Sequence, residues 1–193
     1  MKTLVKIIAT IAVFGGGFFA YQSVNAADIT GNAGVSYSDT RTFRGVKQAD
    51  DTLGVNVGLA TSLAEKVSLG VSLDSFNALE AGQTNELRTE VSLGYDVSET
   101  IGLSVGYTNY DYQSATSNNE IGLGVSVKTL LNPSILYAMD SDNDSDVAEI
   151  SVSHTISLNE QFGLTLDGSL GNVDAVADYN YHSLGATINT SVG

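Results

Sequence analysis

Charged side chains are scarce in this chain, so those that fall among hydroxyls and glycines mark where chemistry could concentrate. Of 193 residues, 8 are Lys or Arg and 22 are Asp or Glu, and 16% are charged. Arg44, Arg88 and Lys128 stand against Asp74, Glu90, Asp96, Glu120, Glu149 and Asp167. Fixed charges of both signs lining one enclosed lumen would form an eyelet that selects permeants. The same residues could instead pair with one another and plug the lumen, because a buried charge left unpaired is costly. A second set is Asp140, Asp142, Asp144 and Asp146, which alternate with Ser and Asn. Oxygen ligands at every second position could hold Ca²⁺ or Mg²⁺. The EF-hand pattern is not met, since Ser145 stands where Gly belongs and Ser151 where the bidentate Glu would be. A solvated acidic loop is the simpler expectation.

Catalysis finds little footing. The chain has no cysteine and no Gly-x-Ser-x-Gly elbow. His182 with Asp178 could be drawn as a pair, but no positioned nucleophile accompanies it. No catalytic residue and no cofactor is assigned. The absence of cysteine also excludes disulfide scaffolds and thiolate metal sites. A net charge of −14 argues against nucleic acid, whose phosphates require clustered Lys and Arg. With 42% hydrophobic residues and a mean hydropathy of +0.08, the chain lies far from the disordered regime.

The elements that must position these residues begin after an address segment. Met1–Ala26 has Lys2 and Lys6, an apolar run from Leu4 to Phe14, and Val24-Asn25-Ala26 as a small-x-small cleavage site. This is the pattern of a cleaved secretory signal, and its apolar run is short for a membrane span. Residues 27–193 then form one β domain. Apolar residues fall on every second position: Leu53, Val55, Val57, Leu59; Val67, Leu69, Val71, Leu73; Ile101, Leu103, Val105, Tyr107; Ile121, Leu123, Val125, Val127. Side chains of a strand alternate faces, so each strand has one aliphatic face.

The opposite face is small and polar. It reads Asn56, Gly58, Ala60, Ser62 on one strand and Gly102, Ser104, Gly106, Thr108 on another. A soluble sheet would carry Lys and Glu there, and glycine would only weaken it. In a narrow barrel whose aliphatic face meets lipid, Gly, Ser and Thr are what fits a crowded lumen. Short breaks at Ala64–Lys66, Ser98–Thr100, Leu130–Leu131 and Asn159–Gln161 alternate with longer ones near Thr42–Thr52, Asn77–Asn85, Gln113–Asn119, Ser141–Asp146 and Asn172–Asp178. Five long and four short connections imply ten strands. The expected fold is therefore all-β, an antiparallel up-and-down transmembrane β-barrel of ten strands after the signal segment. Thr30, Asn32, Gly34, Ser36 and Ser38 face the lumen by parity, which places Arg44 on the lumen side near the outer mouth. Tyr37, Tyr95, Tyr107, Phe162 and Tyr179 are girdle candidates, and His154 and His182 share the outward parity. The excess of inward carboxylates predicts a preference for cations.

The run Ser38-Asp39-Thr40-Arg41-Thr42-Phe43-Arg44-Gly45-Val46-Lys47-Gln48-Ala49-Asp50 resembles the N-terminal signature of the TorF-type porin family, in which an aromatic-Arg-Gly block precedes a polar Gln-x-Asp loop. Asn132-Pro133-Ser134-Ile135-Leu136-Tyr137, the Glu149–His154 stretch and the Gly-rich penultimate strand are similar to that family too. The resemblance implies an outer-membrane barrel of porin type. The expected partners are outer-membrane lipid and small polar solutes or ions, with divalent cations at the acidic loop a further option. The expected location is the outer membrane of a Gram-negative-type envelope. Two rivals remain: a closed barrel acting as surface anchor or receptor through its loops, and a soluble secreted β-sandwich.

Overall fold

The computed structural model describes residues 7–11, 29–113, 115–159 and 162–191. Eleven strands form: β1 Ile7–Ile11, β2 Ile29–Phe43, β3 Val46–Ala64, β4 Val67–Ala78, β5 Glu86–Asp96, β6 Ile101–Tyr112, β7 Asn118–Val127, β8 Ser134–Asp140, β9 Ser145–Ser157, β10 Phe162–Asp174 and β11 Tyr179–Ser191. β2 to β11 are ten strands in up-and-down order, each antiparallel to the next, and no helix occurs among the described residues. β1 lies between β11 and β2 and closes the ring. Of the expected signal segment only 7–11 are described; the remainder lies outside the described residues.

The two-residue alternation produces the two faces of this wall. Val55, Val57 and Leu59 on β3, Leu103 and Val105 on β6, and Leu123 and Val125 on β7 all remain exposed, with 41% of Val55 and 50% of Leu123 accessible. They lie on the outside of a single closed ring. Two packed layers would bury them against one another, so the sandwich rival is corrected by the ring itself.

On the inner face, hydroxyls lean over glycines. Ser36 pairs with Gly54, Ser68 with Gly94, Ser104 with Gly124 and Ser126 with Gly102 across neighbouring strands. A Cβ at any of these glycines would come closer than 3.0 Å to the serine Oγ. Each missing side chain is thus the space its neighbour occupies. The buried apolar cluster is also internal and lies in the outer half, where Ala138, Val147, Val173 and Tyr181 pack with Leu136, Ala175 and Tyr179.

Two of the five long connections differ from expectation. Thr42–Thr52 is not a loop: β2 and β3 continue through it and turn at Arg44-Gly45, both with positive φ (48° and 75°). That is the demand of a two-residue primed turn, which glycine meets without penalty. The Ser141–Asp146 connection shrinks to 141–144, because β9 begins at Ser145. The strict long-short alternation is therefore lost beyond 79–85: the expected short break at Leu130–Leu131 spans 128–133, longer than the connections at 113–117, 141–144 and 175–178.

Candidate functional site

The site is assembled by the β2–β3 hairpin, which projects beyond its neighbours and bends over the mouth. Strand parity changes along it. Ser36 and Ser38 face inward on β2, but so do Arg41 and Phe43; on β3 the buried positions pass from Thr52 to Ala49. Asp51 adopts φ 42° at this point, and the register slips between Arg41 and Thr42 so that Gln48 is the extra residue. A bulge and a left-handed residue both bend a strand and re-aim its side chains. Tyr37 donates its hydroxyl proton to Asp51 just below the bend. The tip also leans toward β11, where the space a Gly45 side chain would fill is taken by Tyr181.

This bend delivers two arginines into the lumen, and a third rises from β5. Arg41 donates to Glu86 Oε2 at 2.9 Å, while Arg88 donates to the other oxygen of Glu86, also at 2.9 Å. Arg44 grips Glu120 with both terminal nitrogens, at 2.6 and 2.9 Å. β2 and β5 are not neighbours, nor are the β2–β3 turn and β7, so the Arg41–Glu86 and Arg44–Glu120 pairs span the interior, whereas Arg88–Glu86 lies along β5. Glu86 is 3% exposed and Glu120 2%. Aromatic faces fill the remaining volume. Phe43 meets Tyr110 at 5.8 Å between centroids, Arg41 lies 3.9 Å over Phe76, and Arg88 lies 4.4 Å over Phe43 and 4.8 Å over Tyr110. Guanidinium groups stack on rings while their edges hold carboxylates, a combination an ammonium cannot reproduce. Burial opposes the Arg44 charge, but the hydrogen bond and the charge of Glu120 outweigh it, leaving the guanidinium pKa above its ordinary value.

The remaining expected residues distribute along the lumen. Asp74 stands opposite Arg88 on the β4–β5 rungs, and Glu90 lies two residues farther inward on β5. Neither forms an ion pair among the described residues. Lys128 and Asp96 pair at 2.9 Å at the short-turn end. Glu149 accepts the Tyr181 hydroxyl at 2.6 Å, and the Tyr181 ring reaches it by lying across Gly171 of the intervening strand β10. Asp167 occupies the space over Gly185.

The four aspartates of 140–146 are not gathered. No group of three or more metal-ligating side chains forms among the described residues. Asp140 instead accepts from the Asn118 side chain and from the amides of Asp142 and Asn143; Asp142 accepts from Asn119, and Asp146 from Tyr137. Asp140 and Asp142 thus use their lone pairs to hold the turn and to tie it to β7.

Several members of the cluster lie outside the set that strand parity selected. Arg41 is hidden by the parity change. Glu86, Phe76 and Tyr110 share the inward parity of Arg88, Asp74 and Thr108, and that signal would have found them had their strands been extended toward the mouth. Tyr179 is corrected from girdle to lumen: it lines, with Gln48, Tyr112, Asn118, Asp140 and the Arg44–Glu120 pair, a cavity of about 160 Å³ at the mouth. Tyr37, Tyr95, Tyr107 and Phe162 do lie on the outer surface.

No family model matches this chain, and no curated protein does, so the likeness to TorF-type porins stays a resemblance. Among solved structures, the chain is similar to an anion-selective porin from Comamonas acidovorans at 14% identity and a TM-score of 0.36; the match covers 88% of this chain and 57% of the porin. The chain thus spans little more than half the length of that porin, and the barrel described above rests on this chain's own strand pairing.

Proposed function

We propose that this protein is an outer-membrane β-barrel that gives ions and small polar solutes a passive route, with the Arg–Glu–aromatic cluster as its constriction. One observation carries the proposal: a closed ring of strands has aliphatic side chains outside and Gly, Ser, Thr and charged groups inside. Lipid accepts that outer face, whereas a charge on it would cost about 2–4 kcal/mol at the midplane. The resemblance to TorF-type porins and the export signal at 1–26 point the same way. Below the paired layer, Asp74, Glu90 and Asp167 give the route an acidic lining, so cations are favoured over anions.

A second reading has its own support. Glu86 and Glu120 are almost inaccessible between non-adjacent strands, as befits a barrel held shut and used as an anchor for its loops. Planar-bilayer recordings separate the two. Conduction predicts small steps from the wild-type protein, larger ones from Arg44→Ala, and a cation-selective reversal potential that weakens in Glu90→Gln/Asp167→Asn. Folded, heat-modifiable protein that gives no steps, with or without Arg44→Ala, would leave the anchor standing instead.

A further inference from the structure

The ion pairs leave a set of polar groups unused, and these converge on the cavity of about 160 Å³ at the mouth. Tyr110 of β6 lines it and is 3% exposed. Phe43 and Arg88 fix the Tyr110 ring, at 5.8 and 4.8 Å. Its hydroxyl has no hydrogen-bond partner among the described residues. Nor is that oxygen sealed in: among the described residues, only Thr52 Oγ1 and Arg88 Nε are buried side-chain atoms that lack both a partner and accessible surface. The Tyr110 hydroxyl therefore opens into the cavity. A phenylalanine would pack the same ring without the penalty of an unmet hydroxyl, so the oxygen points to a partner outside the chain.

The groups around it are of the same kind. Asn118 stands opposite Tyr110 on the β6–β7 rung and donates its side-chain N–H to Asp140, which leaves its oxygen as an acceptor. Tyr112, two residues nearer the rim, and Tyr179 on β11 also line the cavity. Their hydroxyls have no partner among the described residues, and their rings stack on no other ring or guanidinium there. Charge, by contrast, is already committed. Both oxygens of Glu120 are held by Arg44. Each oxygen of Asp140 accepts two N–H groups, drawn from Asn118, Asp142 and Asn143. A charged ligand would shed its water here and find no counter-charge in exchange. A neutral ligand rich in hydroxyls finds donors, acceptors and apolar ring faces together. Volume sets its size: a cavity of about 150 Å³ admits benzene, so this one admits a single six-membered ring.

We infer that the mouth cavity is a binding site for one neutral pyranose, whose hydroxyls bond to Tyr110, Asn118, Tyr112 and Tyr179 and whose C–H face lies on a tyrosine ring. Water meets the same groups when no sugar is bound, and a ligand hydroxyl that reproduces those bonds displaces it without loss. The inference rests on the barrel reading proposed above, which opens the mouth to the medium, and it names a solute class for that route. It does not require conduction.

Methyl β-D-glucopyranoside and methyl β-D-galactopyranoside are titrated into detergent-solubilised, heat-modifiable protein and followed by saturation-transfer NMR. The expected result is saturable binding of at least one of them, with a dissociation constant on the order of 1 mM. Tyr110→Phe should bind about three- to tenfold more weakly, while its band shift on heating stays that of the wild type, because the hydroxyl has no protein partner to lose. Tyr112→Phe, at the rim, reads the same loss independently. Choline, acetate and nicotinamide, probes for a cation, an anion and a flat neutral ring, should not displace the sugar. A folded barrel that binds neither sugar, both phenylalanine variants binding as tightly as the wild type, or displacement by any of the three probes overturns the site. Planar-bilayer recordings keep the two proposals apart. Steps without sugar binding leave the pore standing and remove the site, whereas sugar binding without steps keeps the site and makes the barrel a receptor.

Discussion

The Arg44–Glu120 pair allows a quantitative test of the claim that the mouth is tied across the lumen. The side chains are 13% and 3% exposed, and two contacts of 2.6 and 2.9 Å make the pair bidentate. Because Glu120 raises the Arg44 pKa despite burial, the guanidinium is charged at any working pH. Arg44→Met removes it and leaves the Glu120 carboxylate buried with no contacting cation, a change that typically costs about 3–5 kcal/mol. Fraying of the hairpin tip can relieve part of that, so the expected loss is about 2–3 kcal/mol. Glu120→Gln strands a cation that sits at a turn and can swing toward solvent, and about 1–2 kcal/mol is expected. If the two groups act on each other, Arg44→Met/Glu120→Gln should cost little more than Arg44→Met alone, a coupling of about 1–2 kcal/mol. With no tryptophan in the chain, urea unfolding in detergent micelles is best followed by circular dichroism and by the heat-modifiable band. Losses that add within about 0.5 kcal/mol would refute the tie, and the hairpin would then be held by packing alone.

Three further outcomes follow from the same geometry. Gly171→Ala places a Cβ inside the Tyr181 ring and should cost about 1–3 kcal/mol, measured by urea unfolding and largely rescued by Tyr181→Ala in the same chain. Val105→Lys puts a charge on the outward face, where Val105 is exposed, and should cost about 2–4 kcal/mol in lipid vesicles; a value near zero would mean that this face does not meet hydrocarbon. Asp51→Val forces a β-branched residue into φ 42° and should cost upwards of about 1–2 kcal/mol, whereas Asp51→Gly should retain the bend, with protection of the 41–49 amides from hydrogen exchange as the readout.

How much of this was legible follows from what parity can encode. A strand's faces are set by its residue spacing, so the outward valines and leucines, and the inward positions of Asp74, Arg88, Glu90 and Glu120, could be read along each strand. Arg41 could not. Its inward turn comes with the left-handed Asp51 on the partner strand, ahead of the slip at Gln48, and nothing in an alternating pattern says where a strand will bend. Glu86 and Tyr110 lay within reach of parity, but only to a reader who carried β5 and β6 on to where they end. Which arginine meets which glutamate depends on ring closure, because partners such as Arg44 and Glu120 are 76 residues apart and on non-adjacent elements. At 140–146 the acidic alternation could be read as loop or ligand set for a related reason: period two places side chains on one face only along a strand, and here residues 141–144 turn between β8 and β9.

The placement of the cluster has a mechanical consequence. Arg41, Phe43 and Arg44 ride on one hairpin tip, and their partners Glu86, Tyr110, Glu120 and Tyr181 belong to β5, β6, β7 and β11. Four separate strands therefore hold one projecting element, which under the proposed pore reading a solute too large to pass would have to displace as a unit from the bend at Asp51. Side-chain rotation at a single position would free only one tie. The deeper lumen contrasts with this: its wall is made of Ser-over-Gly rungs, with no element crossing from side to side among the described residues except where charge pairs do. The obstruction of the lumen is thus concentrated in the outer half. Asp74 and Glu90, which form no ion pair among the described residues, stand just behind it, and under the proposed pore reading a cation leaving the mouth would first meet their negative charge.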